Sequence, residues 1–450
     1  GNAACSSDSS SVVTQVCDTA GACGPKTNSC GSSSYCSGNS CIAKIGNGTT
    51  CSSAVQCSSG NCSSYAVTGA KLCCQSGYLN CGRCMDMASF GGCSNIVGHS
   101  NNTCAAIGGT GKCTGSNGSG RGPQPSLGVG LDYSQLTGSD VPMDITTLTN
   151  VQYMSPGNTA DTNCAIVGGA AKCWGDNNYG QLGDGGSSTG RSPVQVSGLT
   201  SGVTDIAVAR THACAVVSGG VKCWGSNSYG QLGMAKDMNP HPSPVTVSVG
   251  GTATAVAVGE SHSCAIVGGA VKCWGAGPEG ELGNSMGTDS ATPVAVTTLT
   301  SNVTTISAGS YHTCAVQGGV LWCWGMNSSG QCGDATKTDK MYPVVVNNMS
   351  ANVQMVAAGT QHTCGLVNGG VKCWGQNDSG QIGDGTMTER LTATSVSGLT
   401  SGVQYITVGA GFSCALTSNQ AKCWGSGGSG QLGDNNGTSS PTPVTVQNIP

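Results

Sequence analysis

The feature that most constrains this chain is a string that recurs at a fixed spacing. CAVVSGGVKCWGSNSYGQLG runs from Cys214 to Gly233, with near-copies beginning at Cys164, Cys264, Cys314, Cys364 and Cys414, each fifty residues from the next. A worn copy, CAAIGGTGKCTGSNGSGRG, begins at Cys104. A period of this length marks one supersecondary unit packed against copies of itself.

Within each copy the two cysteines lie nine positions apart, with a turn-forming dipeptide between them: Gly168-Gly169, Ser218-Gly219, Asn368-Gly369. Asn-Gly and Gly-Gly suit a two-residue hairpin turn with positive φ at both positions. Counting outward from Ser218-Gly219, Val217 faces Gly220, Val216 faces Val221, Ala215 faces Lys222 and Cys214 faces Cys223. Alternation makes the cysteine pair a non-hydrogen-bonded one, with α-carbons roughly 4.5 Å apart, inside the span of a disulfide. The spacing therefore predicts one cross-strand disulfide per hairpin: Cys104–Cys113, Cys164–Cys173, Cys214–Cys223, Cys264–Cys273, Cys314–Cys323, Cys364–Cys373 and Cys414–Cys423. Each closes a loop so short that it contributes only about 2–3 kcal/mol; the set favours kinetic stability and protease resistance.

Two more strands complete the unit. An apolar run such as Asp205-Ile206-Ala207-Val208-Ala209 precedes each hairpin, and a Pro-Val strand such as Pro193-Val194 or Pro244-Val245 precedes that. Four short strands per repeat are the arithmetic of a propeller blade. A solenoid would need distinct polar caps, and none is evident. The first unit lacks a leading Pro-Val strand while Pro443-Val444 follows the last hairpin. The expected fold is thus all-β: a seven-bladed β-propeller over 94–450, closed by the C-terminal strand completing the first blade. The connection 116–141 is about ten residues longer than its equivalents and is expected to protrude.

Residues 1–93 are different. They hold fourteen of the 29 cysteines and few large apolar side chains, so a small disulfide-rich, loop-dominated domain is expected there. So many cysteines without metal-ligand spacing point to an oxidising compartment. The start at Gly1, without a signal segment, is read as that of a processed secreted protein. The CGRC of Cys81–Cys84 reads as a structural bridge rather than a redox or zinc motif. Lys and Arg total only 17 in a chain of net charge -4, which argues against a nucleic-acid partner. No run of eighteen apolar residues is present to span a membrane.

VKCWGSNSYGQLG and the preceding VAVARTHACAVV resemble the repeats of the regulator of chromosome condensation family, and that resemblance implies a seven-bladed propeller. The cysteine pair in every unit is a departure that looks like secreted bacterial members of the family rather than the nuclear exchange factor. Cys51, Cys57, Cys62 and the Cys73-Cys74 doublet resemble small cysteine-rich modules of secreted proteins from Gram-negative predatory and fruiting bacteria. That likeness implies an extracellular setting and no activity.

Several recurring residues invite chemical readings. His212, His262, His312 and His362 share one repeat position, but Asn102, Thr162 and Phe412 fill it elsewhere, so packing is preferred over metal. The tryptophans following the second cysteine, Trp174 to Trp424, read as inter-blade core rather than sugar platforms. The aspartates after Gly-Gln-Leu-Gly (Asp184, Asp334, Asp384, Asp434) read as turn residues rather than calcium ligands. Two residues stand out as possible contacts. Trp322 replaces the lysine of the other units, and Cys332 is unpaired at a Leu or Ile position, either buried or bonded between molecules. No catalytic, metal or cofactor constellation appears, and no enzyme is expected. The function expected is that of a secreted structural or interaction protein, at a cell surface or in a filament, with loops 184–192, 234–243 and 284–292 available for contacts. The alternative is a secreted inhibitor that captures a protein on an aromatic-rich face; nucleotide exchange on a small GTPase is a third reading, in conflict with the oxidised cysteines.

Overall fold

The computed structural model describes the chain from Gly92 to Ile449 except residues 119–125, 132–133, 156, 158–160 and 419, with side chains from Asn95 onward; before Gly92 it describes the backbone of eight short strands. Two compact units divide the chain, residues 1–81 and 82–450. In the first, short antiparallel pairs set Cys17 opposite Cys23, Cys36 opposite Cys41 and Cys62 opposite Cys73. The bonding of these cysteines lies outside the described residues.

The second unit is seven antiparallel sheets arranged as propeller blades, with no helix among the described residues. Blade 3 shows the plan. Its strands are Val203–Val208, His212–Val217, Gly220–Gly225 and His241–Val247, hydrogen-bonded in that order. In the hairpin, Val217 is opposite Gly220 and Cys214 opposite Cys223, as the turn count requires. Ser218 (φ 50°) and Gly219 (φ 80°) both take the left-handed conformation of that turn. All seven cysteine pairs are disulfides, with Cα–Cα separations of 4.0 to 4.1 Å. The short separation is what a non-hydrogen-bonded cross-strand pair provides.

Closure of the ring differs from expectation. The C-terminal strand Ser440–Thr445 pairs with Ala421–Gly425 of its own blade and does not complete the first. The Pro-Val strand belongs to the hairpin before it: Val194 faces Cys173, Val245 faces Cys223 and Val444 faces Cys423. Proline suits this outer strand because its missing N–H faces away from the ladder. Blade 1 is complete by itself, with Gly92–Gly98, Asn102–Ile107, Thr110–Ser116 and Gly138–Thr149, and carries a fifth strand, Met85–Met87, on its first. Every seam in the ring, the closing one included, is therefore side-chain packing plus isolated hydrogen bonds rather than a shared sheet.

A single arrangement recurs at the seams. Between blades 3 and 4 the Trp274 indole N–H donates to the Gln231 carbonyl (2.9 Å), which also accepts from the Ser263 hydroxyl (2.9 Å). Trp224, Trp324, Trp374 and Trp424 bond the equivalent carbonyl of the preceding blade at 2.8 to 2.9 Å. All six tryptophans of this position are fully buried, each contributing a large apolar area whose one polar atom is satisfied. The approach needs a glycine. A Cβ on Gly183 (φ 69°) would sit 2.7 Å from Trp224 Nε1, so the last Gly of Gly-Gln-Leu-Gly serves both the turn and the tryptophan.

The closing seam is built with smaller residues. Blade 1 has Thr114 at the tryptophan position; its hydroxyl bonds the Gly430 carbonyl (3.0 Å), and Thr103 bonds that of Gln431 (2.7 Å). Gly98 N–H donates to Thr407 Oγ1 (2.9 Å) and Ala410 N–H to the His99 carbonyl (3.1 Å). The long connection 116–141 is not simply a protrusion. Ser126 and Leu127 are buried, and the Ser126 carbonyl accepts from the Trp174 indole (3.0 Å) and Asn163 Nδ2 (2.8 Å). Ser126-Leu127-Gly128 is thus the worn Gln-Leu-Gly of blade 1, displaced by an insertion ahead of it, because Trp174 still needs an acceptor and a pocket.

Candidate interaction face

The propeller has two unlike ends. Hairpin turns and the returns from fourth to first strands lie at one. The other, the loop end, carries the turns between first and second strands and the longer loops between third and fourth. What those longer loops can do depends on how they are held.

An asparagine two residues after Trp-Gly organises them, and its role was not anticipated from the sequence. Asn177 Oδ1 accepts from Leu182 N (2.9 Å) while its Nδ2 donates to the carbonyls of Gly186 (3.2 Å) and Ser188 (2.9 Å). Asn377 repeats this with Ile382, Thr386 and Thr388. The signal was visible: Asn recurs there in five of seven units, with Gly277 and Gly427 the exceptions. The glutamine carboxamide fixes the next corner, Gln181 Oε1 accepting from Tyr179 N (2.8 Å) and Gln231 Oε1 from Tyr229 N (2.9 Å). The following aspartates cap turns two residues on, Asp184 Oδ1 on Gly186 N and Asp384 Oδ1 on Thr386 N. No group of three or more metal-ligating side chains exists among the described residues.

These loops are less free than expected of the stretches 184–192, 234–243 and 284–292. Gly185 N bonds Pro242 O (2.8 Å), Ser285 N bonds Met341 O (2.9 Å) and Gly385 N bonds Pro441 O (3.0 Å). Each loop therefore leans on the outer strand of the next blade. In 234–243 the link is an ion pair, Lys236 to Asp289 of blade 4 (2.6 Å).

On this frame the loop end of blades 2 to 5 gathers aromatic side chains. Tyr179 and Tyr229 occupy the same loop position in adjacent blades, and Tyr311 lies in the first turn of blade 5; they are 39, 44 and 39 % exposed. Arg210 and Glu260, from the first turns of blades 3 and 4, form an ion pair with Arg210 Nε 2.5 Å from Glu260 Oε1. Its charges reach the surrounding tyrosines: burial first, then Glu260, raises the Tyr311 phenol above its ordinary value. Met238, Met286 and Tyr342 stand out further along the rim, 85, 70 and 55 % exposed. Repeats adjacent in sequence are adjacent blades, so Tyr179 and Tyr229 stand at one loop position of neighbouring blades.

One acid stands where the other units have glutamine or its worn equivalent. Glu281 is buried at the blade 4–5 seam, and burial pushes its carboxyl up to about 7. Nearby Glu279 is also raised, by burial and by its hydrogen bond to Asp339 across that seam.

The four repeat histidines are fully enclosed and act in the seams. His212 Nε2 lies 2.9 Å from Ser263 Oγ, His262 2.8 Å from Thr313 Oγ1, His312 2.9 Å from Thr363 Oγ1 and His362 3.0 Å from Ser413 Oγ. Each hydroxyl spends its own proton on a carbonyl of the preceding blade, Ser263 on Gln231 for example, so it accepts from histidine, which fixes the Nε2–H tautomer. Burial lowers the imidazoles to about 3 or 4. A fifth, His99, is fully buried at the end of the first strand of blade 1 and likewise lowered to about 3.

The two singular residues lie inward. Trp322 is half-buried against the core between blades 4 and 5, its indole nitrogen shielded from water, so it is not the exposed contact expected. Cys332 is a free, fully buried thiol in the core between blades 5 and 6, and burial drives its acidity down. That placement fits the packing reading and offers a second molecule no access.

Comparison with known proteins agrees with this architecture. No curated protein matches the chain. Among solved structures it is similar to Prp20p from Saccharomyces cerevisiae, studied for its binding to Gsp1p and histones (19 % identity, 78 % of this chain and 87 % of that one, TM-score 0.63). The yeast protein in a complex with Kap60 is similar too (19 % identity, 81 % and 86 % covered, TM-score 0.65), as is human WBSCR16 (21 % identity, 74 % and 89 % covered, TM-score 0.63). At such identities the likeness concerns the fold. The family model described as RCC1-like domain matches residues 109–449, and the chain belongs to that family.

Proposed function

We propose that this chain works outside the cytoplasm as a non-enzymatic structural or interaction protein, its propeller a rigid platform and its loop end the contact surface. The observation that carries the reading is a buried disulfide in every blade, a device useful where thiols stay oxidised. The tethered loops support the platform role, since contacts on held backbone cost little ordering on binding. Membrane-impermeant biotinylation of source cells, with thiol alkylation before lysis and without reduction, tests it. The expected result is a surface or secreted pool whose blade cysteines resist alkylation even in denaturant; a cytoplasmic pool with reactive blade cysteines overturns it.

A second reading is the capture of a partner protein across one face, favoured by Tyr179, Tyr229 and Tyr311 around the Arg210–Glu260 pair. Tyrosine and arginine are the side chains that anchor protein interfaces.

A further inference from the structure

The charged residues of the propeller are sorted by end. At the hairpin end, six units carry a lysine at one position of the third strand: Lys112, Lys172, Lys222, Lys272, Lys372 and Lys422. Their partners across the strands set that position near the hairpin turn, Lys222 opposite Ala215 and Thr246. The ammonium groups reach toward the returns at that end, Lys272 Nζ to Val249 O (2.8 Å) and Lys372 Nζ to Asn348 O (3.4 Å). Only two described carboxylates share this end. Asp144 pairs with Lys112 (2.6 Å), and Asp205 is buried, accepting from Val256 N (2.8 Å).

The loop end has the opposite balance. It holds the remaining fifteen described carboxyl groups against six arginine and lysine side chains, and Arg210, Lys236, Lys337, Lys340 and Arg390 are each bound to one of those carboxylates. Asp140 and Asp378 are exposed there. A basic ring and an acidic ring, built on one seven-blade period, thus face opposite ways along one axis. The exposed large apolar side chains, Tyr179, Tyr229 and Tyr311 among them, cluster at the acidic end.

We propose that the partner of the loop end is the hairpin end of a second copy, so that propellers stack head to tail, with the lysine ring of one on the acidic face of the next. This deepens the structural reading above and rests on it. Opposite potentials steer such an encounter and set its orientation. The tyrosines would meet the hairpin turns and lysine stems of the neighbour, supplying the apolar contact. A head-to-tail interface is heterologous, each copy keeps one unused face of each kind, and growth continues into a filament unless the rotation closes a ring.

The test is sedimentation velocity on the full chain across a concentration series, in about 20 mM and about 500 mM sodium chloride, where screening lengths differ several-fold. The wild type is expected to grow with concentration in low salt and to return to monomer in high salt. Two charge-reversed variants are compared, K172E/K222E/K422E at the hairpin end and D140K/E279K/D378K at the loop end. Each alone should remain monomeric, because each has spoiled one of the two complementary faces. Mixed one to one, they retain one native junction between the two unaltered faces and should associate, at least into dimers of twice the monomer mass. If reversal lowers the melting temperature, K172Q/K222Q/K422Q replaces the first variant and should weaken assembly in the same direction. A wild type that stays monomeric in low salt overturns stacking while leaving the extracellular platform reading intact. Assembly that persists unchanged in either variant, or mixed variants that do not pair, also overturns it and moves the contact to the rim or to residues 1–81.

Discussion

The seam histidines show how much one side chain decides here. His212, His262, His312 and His362 donate to a hydroxyl that donates to a carbonyl across the blade boundary, a relay that works only while imidazole is neutral. Native protein holds these rings unprotonated down to about 3 or 4, whereas the unfolded chain protonates them near 6.5. Their contribution to stability is therefore complete above pH 6.5 and is lost as pH falls below it, by about 2 kcal/mol per histidine at pH 5. His312→Phe, which copies the Phe412 of blade 7, should flatten this acid dependence by that amount, as read from urea midpoints between pH 7 and 5. Glu281 has the opposite sign. Its carboxyl is raised to about 7 in the native state, so stability falls as pH rises from the unfolded value near 4.5 toward 7. Glu281→Gln should gain about 3 kcal/mol at pH 8 and nothing at pH 4, measured in the same way; an equal gain at both pH values would show that ionisation is not the cause.

At the scale of the element, the stapled hairpin and its tryptophan do separate things. The disulfide ties two strands that already pair, so Cys314→Ala with Cys323→Ala should cost about 2–3 kcal/mol and leave the blade folded, which circular dichroism and a thermal melt would check. The tryptophan ties blade to blade. Trp224→Phe keeps the ring but leaves the Gln181 carbonyl without its indole donor, a loss of about 1–3 kcal/mol expected at the blade 2–3 seam. The hairpin could be read from the sequence because its evidence is local: a turn dipeptide midway between two cysteines leaves one register. The partner of the Pro-Val strand could not, because periodicity is silent on phase, and a fourth strand fits equally well before one hairpin or after the previous one. Ser126-Leu127-Gly128 escaped for a related reason. Only the position of the Trp174 indole reveals it as the missing Gln-Leu-Gly. Tyr179 and Tyr229 were legible in principle, since neighbouring repeats are neighbouring blades, whereas Tyr311 joins them through a different turn and only in three dimensions.

The propeller is a ring without a clasp. Six seams carry a buried tryptophan; the seventh, between blades 7 and 1, carries Thr114 and Thr103. Less apolar area is buried there, and opening needs no strand to be pulled from a sheet. Native-state hydrogen exchange should find amides of Gly98 and Ala410, which donate across that seam, exchanging before those flanking Trp224 or Trp374. Each blade is closed by its own disulfide in an oxidised protein, and Cys332 is the one free thiol among the described cysteines. Mass spectrometry of peptides from native-source protein, alkylated in denaturant and digested without reduction, tests this most directly. The expected result is seven linkages joining the two cysteines of each hairpin, with alkylation between residues 95 and 450 confined to Cys332. A linkage between different blades, or alkylation spread over the hairpin cysteines, would contradict it.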